Sequence, residues 1–282
     1  MFKDITLSFI GSGMMAEAMI VGLLNQKLIE PGQIIAAGPR PERGERLAAR
    51  YGVRWTTDNE EAAEQGQIVV LSVKPQVLTS VIPQVRGHLR RQDLGLSIIA
   101  GAPLRLLADG MAHAAFVRAM PNTPGQIGQG ITVWTATPEV GPNYLEQARL
   151  ILGALGESVF VEDEDYLDMA TALSGTGPAY VFLFMEAMID AGVHMGFSRR
   201  VATQLVMQTM AGSVAYARHS ERHVAELRNQ VTSPGGTSAE AIYHLEKGGL
   251  RTVISRAVWA AYQRSVALGR GKRREAPPDN TQ

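Results

Sequence analysis

Two clusters of residues in this 282-residue chain could do chemistry, and neither holds a strong acid, base or thiol. One is Gly11-Ser12-Gly13-Met14-Met15-Ala16. Its small residues sit where a tight turn brings backbone close to an anion and a following helix aims unpaired N–H groups at it. The other is Gln230-Val231-Thr232-Ser233-Pro234-Gly235-Gly236-Thr237-Ser238. It is a turn of hydroxyls and N–H groups between two helical patterns. Pro234 fixes one φ, and the two glycines allow close approaches that a side chain would block. A helix opening at Thr237 or Ser238 would suit a carboxylate. Alone, this second turn reads first as a plain helix–helix connection with a capped start.

Other chemistries find little support. His113, His194, His219, His223 and His244 are scattered, and no metal-ligand spacing links them. The absence of Cys excludes disulfides, thiolate metal sites and a Cys nucleophile. Asp163, Glu164 and Asp165 read first as a solvated linker. Zero formal net charge argues against electrostatically driven binding to nucleic acid or an anionic membrane. No apolar run reads as long enough to span a bilayer, and no signal peptide is evident, so a cytoplasmic protein is expected.

The elements that must position these clusters differ between the two halves. Ile5–Ile10 is a β-branched strand pattern, and a helical pattern follows the glycine turn through Leu24. Strand, G-x-G-x-x-A and helix in that order form a dinucleotide fingerprint. Gly11 makes the turn, Gly13 admits a pyrophosphate, and Ala16 lets the helix pack on the strand. The second strand, Gln33–Ala37, ends in Gly38-Pro39-Arg40. No acid stands there for the ribose hydroxyls of NAD. Arg40, with Arg43 as helper, suits a 2′-phosphate, so NADP is the expected cofactor, with NADH left open as a second reductant. Further strands are read at 53–57, 68–73, 94–99, 115–120, 130–135 and 158–161, with Lys74 at one strand end facing phosphate, ribose or solvent. Strands alternating with helices predict a mostly parallel, doubly wound α/β sheet of the Rossmann type over residues 1–163.

After about residue 163 strand signals vanish. Helices are expected at 167–173, 178–195, 199–218, 221–230, 237–247 and 251–268. Pro178–Met195 is apolar enough to require burial on most sides. So many large apolar residues in one all-α half, residues 164–270, exceed what a small bundle buries, and a homodimer or higher homo-oligomer is expected. Residues 271–282 read as a disordered tail.

Five blocks in order resemble pyrroline-5-carboxylate reductase. They are the glycine turn, Val73-Lys74-Pro75-Gln76, Met120-Pro121-Asn122-Thr123-Pro124, Leu173-Ser174-Gly175-Thr176-Gly177-Pro178-Ala179-Tyr180, and the turn at 230–238 with its following helix. The likeness covers roughly 5–268. It implies reduction of 1-pyrroline-5-carboxylate to L-proline, the last step of proline synthesis, usually with NADPH. By position it implies that Ile10, Gly11, Ser12, Gly13, Met14 and Met15 line the cofactor. Asn59, Ser72, Val73, Lys74, Pro75, Ile99 and Ala100 join them. Glu164 and Gln230 fall near the nicotinamide end. Ser233, Gly235, Gly236 and Thr237 hold the substrate carboxylate, and Ser238 reaches the ring nitrogen as the catalytic residue. Ser238 and Gln230 are mild departures, since relatives often carry Thr and Asn there. A second reading is another imine or hydroxyacid reductase on the same plan. It would place Lys or Asp in the helix at 180–189, which offers only Glu186. A third is a catalytically silent NADPH-binding protein, which would have no need of a carboxylate cradle.

Overall fold

The computed structural model describes residues 2–269, and the tail expected at 271–282 lies outside them. The strands are β1 Leu7–Ile10, β2 Ile34–Ala37, β3 Arg54–Thr56, β4 Ile68–Leu71, β5 Leu94–Ser97, β6 Phe116–Met120, β7 Gly130–Ala136 and β8 Gly156–Phe160. They form one sheet in the order β3-β2-β1-β4-β5-β6-β7-β8. Neighbours run parallel except β6 and β7, whose link is too short for a crossover helix. Strand order reverses at β1, with β2 on one side and β4 on the other, which opens a crevice at their carboxyl ends.

The helices α1 Met14–Asn25, α2 Pro41–Tyr51, α3 Asn59–Gln65, α4 Leu78–Val85, α5 Leu104–Met111 and α6 Pro142–Gly153 cover both faces. Alternation along the strands explains why two cores exist. Leu7, Phe9, Ile68, Val70, Leu94 and Leu96 point to the face that α1 and α6 cover with Met19, Ile20, Leu23, Ile151 and Leu152. Ile10, Val69, Leu71 and Phe116 point to the other, where Val81, Val85, Leu107 and Met111 meet them.

The rest of the described chain is helical: α7 Asp165–Ala170, a π-turn at Thr171–Gly175, α8 Gly177–His194, α9 Arg199–Arg218, α10 Val224–Gln230, α11 Thr237–Lys247 and α12 Leu250–Gly269. The compact units divide between 176 and 177 and not at the expected 163/164, and residues 261–269 rejoin the first unit. The physical reason is that α7 packs on the sheet, with Leu167 fully buried. The helix expected at 167–173 starts two residues earlier and ends as the π-turn.

In the helical half one expectation is sharpened and one needs correction. Gly192 is the only buried residue of α8, while Phe182 and Leu183 are 60% and 66% exposed. A single chain therefore leaves this helix's apolar surface uncovered. The continuous helical stretch Asp165–His194 is also long and apolar enough, by length and composition, to cross a membrane. Asp165, Asp168, Glu186 and Asp190 lie within it, so the sequence shows no unbroken apolar run of that length.

Candidate active site

The glycine turn closes over the end of β1. Gly11 has φ +103°, which side chains resist, and a Cβ there would lie 2.8 Å from Val73 Cγ1. Its N–H donates to Ala37 O at 3.0 Å, and its carbonyl accepts the Ser72 hydroxyl at 2.7 Å. The turn is thus wedged between the ends of β2 and β4. Ile10 contributes backbone here, its carbonyl accepting Ser72 N–H at 2.9 Å while its side chain is buried. Gly13 differs. Its φ of −75° suits any residue, and an added Cβ would meet nothing nearer than Ser72 O at 4.0 Å. Nothing in the protein demands glycine at 13, so the open space above it is a cradle that a methyl would fill. Gly13 caps α1 without a side-chain hydrogen bond, so the first N–H groups of the helix remain for an anion. These residues fit a dinucleotide pyrophosphate.

Other expected cofactor residues lie on the same edge of the sheet. Ser72, Val73, Lys74 and Pro75 follow β4, and Lys74 is exposed with no ion pair among the described residues. Ile99 is buried and Ala100 half-buried after β5. Asn59 opens α3. Its Nδ2 donates to Gln84 Oε1 at 2.7 Å, while its buried Oδ1 has no partner. An orphaned buried acceptor at this edge suits a ligand hydroxyl or amide.

Arg40 caps α2 and is exposed beside a cavity of about 380 Å³ lined by Met14, Arg40, Glu42, Arg43 and Arg46. Arg43 lines that cavity too, and it also has a structural role. Its Nε donates to Ser12 O at 2.8 Å, and its Nη2 to Glu17 Oε2 at 2.6 Å and Gly13 O at 3.3 Å. It braces the glycine turn by holding the turn's carbonyls. Burial alone would raise the Glu17 carboxyl. Hydrogen bonds from Tyr51 and Arg43, with the charges of Arg43 and Arg46, outweigh that and hold it below the ordinary glutamate range.

In the helical unit, Ser233–Ser238 form a turn and the start of α11. Gly235 has φ +71°, and a Cβ on Gly236 would lie 2.6 Å from Ser233 Oγ. Gly236 N–H donates to Ser233 O at 3.0 Å. The helix ladder opens with Ala239 and Glu240 donating to Gly236 O, so the N–H groups of Thr237 and Ser238 precede it. The hydroxyls of Ser233, Thr237 and Ser238 have no hydrogen-bond partner among the described residues, whereas Thr232 Oγ1 is occupied by Arg228 O at 2.7 Å. Gln230 ends α10 and is exposed. This turn and the glycine turn belong to different compact units.

Glu164 is not a solvated linker residue. Its Oε1 accepts both Arg118 Nη1 and Leu104 N–H, each at 2.7 Å. The sequence reading passed over Arg118. The available signal was a charged residue inside the apolar strand pattern 115–120.

Residues 164–268 match the family described as pyrroline-5-carboxylate reductase dimerisation. Residues 6–101 match the family described as NADP oxidoreductase, coenzyme F420-dependent. The chain is 42% identical to the pyrroline-5-carboxylate reductase of Synechocystis sp., covering 95% of this chain and 99% of that one. The chain belongs to the pyrroline-5-carboxylate reductase family. The corresponding protein of Pseudomonas aeruginosa is 39% identical, covering 93% of this chain and 96% of that one. The solved pyrroline carboxylate reductase of Plasmodium falciparum, with NADP bound, aligns with a TM-score of 0.87 at 33% identity, over 95% of this chain and 99% of that one.

Two blocks that carry the likeness to pyrroline-5-carboxylate reductase meet each other. Asn122 Nδ2 donates to Ser174 O at 3.2 Å, and its Oδ1 accepts Ile131 N–H at 2.9 Å. A Cβ on Gly175 would lie 2.6 Å from Met120 Cε. The hydroxyls of Thr171, Ser174 and Thr176 bond to carbonyls of their own turn. These contacts tie the end of β6 to the π-turn within the first unit. Among the described residues no group of three or more His, Cys, Asp or Glu could hold a metal.

Proposed function

We infer that this chain reduces 1-pyrroline-5-carboxylate to L-proline with NADPH, the closing step of proline synthesis. The observation that carries this reading is the match to reductases of that name over nearly the whole chain, one of them solved with NADP. NADPH, when bound, supplies the hydride. The residues of the chain bind, align and exclude water.

The glycine turn, the N-terminus of α1, Asn59, Ser72–Pro75, Ile99 and Ala100 hold the cofactor, with Gln230 and Glu164 at its nicotinamide end. Arg40 takes the 2′-phosphate and favours NADPH over NADH, a reading supported by its exposed cavity and the absence of an acid after β2. Ser233, Gly235, Gly236 and Thr237 hold the substrate carboxylate with N–H and hydroxyl donors. Ser238 donates to or accepts from the ring nitrogen. A cyclic imine protonates more readily than a carbonyl, so its carbon is already electrophilic. Hydride adds to that carbon, the C=N pair becomes the nitrogen lone pair, and the nitrogen keeps its proton. Such a reaction needs alignment more than a strong acid, which suits a site of hydroxyls and amides.

Residues 164–270 serve as the dimerisation domain. A homodimer is supported by the exposed apolar surface of α8, which a second copy would cover better than a bilayer would. We place the enzyme in the cytoplasm, in keeping with a sequence that has no cysteine for disulfides.

The test follows NADPH oxidation by absorbance with pyrroline-5-carboxylate, pyrroline-2-carboxylate and simple cyclic imines. Turnover is expected with the first substrate well above the others. Ser238→Ala is expected to lower kcat about tenfold, the worth of one hydrogen bond made at the reacting nitrogen, with NADPH affinity unchanged. An unchanged kcat would remove Ser238 from the chemistry. No oxidation with any substrate would favour the silent NADPH-binding protein.

A further inference from the structure

A dinucleotide with its pyrophosphate over Gly13 and its 2′-phosphate at β2 lays its other half toward β4, β5 and β6. The loop after β5, which carries Ile99 and Ala100, stands at that carboxyl edge of the sheet. An ionic network centred on a buried arginine flanks this loop. Among the described residues Arg118 is the one buried Lys or Arg, at 3% exposure on β6. Its Nη1 donates to Glu164 Oε1, the oxygen that also accepts the N–H of Leu104 at the start of α5. Its Nη2 lies 3.4 Å from Asp168 Oδ1, which accepts the Ser265 hydroxyl of α12 at 2.5 Å. Beside Ser265 the loop itself is pressed against α12. A Cβ on Gly101 would lie 2.8 Å from Leu268 Cβ and 3.3 Å from Ser265 O. One guanidinium thus ties β6, α7 and, through two carboxylates, both the far end of the loop and the helix that packs on it.

A buried ion pair is a weak source of stability, because desolvation offsets most of the attraction. Its contribution is geometric: the fork of Arg118 sets where Glu164 and Asp168 sit, and they set the loop. We propose that Arg118 is a positioning residue for the nicotinamide half of the cofactor, fixing the loop Ile99–Gly101 through Glu164–Leu104 on one side and Asp168–Ser265 on the other. This rests on the NADPH reading above.

The test compares two ligands on the full chain: NADPH, by fluorescence titration, and 2′,5′-ADP, which lacks the nicotinamide half, by calorimetry. Arg118→Met is expected to weaken NADPH about tenfold or more while 2′,5′-ADP stays within about twofold. Arg118→Lys should recover part of the loss. Ser265→Ala should show the same selectivity at about threefold. Equal losses for both ligands, or no loss for either, would overturn the proposal. Should Arg118→Met fail to fold by circular dichroism, Ser265→Ala decides by the same criterion. A wild-type chain that binds neither ligand would instead sink the NADPH reading on which the proposal stands.

Discussion

In the sheet unit, β1, β2, β4 and β5 are buried along their full length. In the helical unit, Gly192, Ala202 and Val206 are the buried residues, although Phe182, Leu183, Met195 and Trp259 are as apolar as anything in the sheet. The two regions have similar raw material and opposite outcomes. A doubly wound sheet has two faces, and its own helices cover both. The helices at 177–260 have no layer of their own to bury against, so their apolar surface makes sense only when another surface completes it. One unit buries its own apolar surface, and the other leaves its apolar surface exposed in a segment that matches the dimerisation family.

The sharpest way to break that contrast is Leu183→Glu. On a surface that truly faces water this change is nearly neutral. In a covered interface it buries a charge, so association should weaken by at least about a hundredfold. Light scattering at micromolar concentration should show the loss of the oligomer. A wild-type monomer, or an unchanged oligomer in the variant, would remove α8 from the interface.

Gly13→Ala probes the sheet unit in the opposite sense. The protein has room for the methyl, with the nearest atom 4.0 Å away, so folding should be unaffected. NADPH affinity should fall about a hundredfold, since the methyl displaces about two charge-assisted hydrogen bonds. Gly11→Ala should do the reverse and destabilise the fold itself. Unchanged NADPH affinity in Gly13→Ala would empty the cradle of its meaning.

How much of this the sequence disclosed follows the same divide. Strands β1, β2 and β4 were legible because each is a β-branched run bounded by turn residues, and the fingerprint located the cofactor edge. The ends were trimmed where pairing stops, as at Leu7 for a strand read from Ile5. The turn at 233–238 and the start of α11 were legible through their glycines. What stayed hidden depends on contacts between distant positions. Arg118 meets carboxylates 46 and 50 residues away, and no local pattern encodes that. The bracing role of Arg43 was hidden because its partners at 12, 13 and 17 belong to another element. The burial expected of α8 is not supplied within one chain, which is in keeping with the expectation of a homo-oligomer.

Arg40→Ala sharpens the distinction between these two arginines. Arg40 is exposed and free to meet a phosphate, so its loss should weaken NADPH about tenfold and leave NADH almost unchanged. Equal losses for both would reject the 2′-phosphate role and return Arg40 to the solvated start of α2.

The smallest expected effect concerns Glu17, which anchors Arg43 and Tyr51 under the glycine turn. Its carboxyl is held below the ordinary glutamate range in the folded protein, so the charged form is favoured by folding. Stability from such a group is fully present above its unfolded-state value and fades as pH falls through the lower folded value. At neutral pH, Glu17→Gln should therefore lower Tm by about 2–4 °C, the shift that ~1 kcal/mol produces in a domain of this size. As pH drops below the ordinary glutamate range, the wild-type carboxyl protonates and the gap between the two proteins should close. A gap that keeps its size from neutral to acid pH would mean that Glu17 braces the turn by shape and hydrogen bonding, and that its charge contributes nothing to holding Arg43.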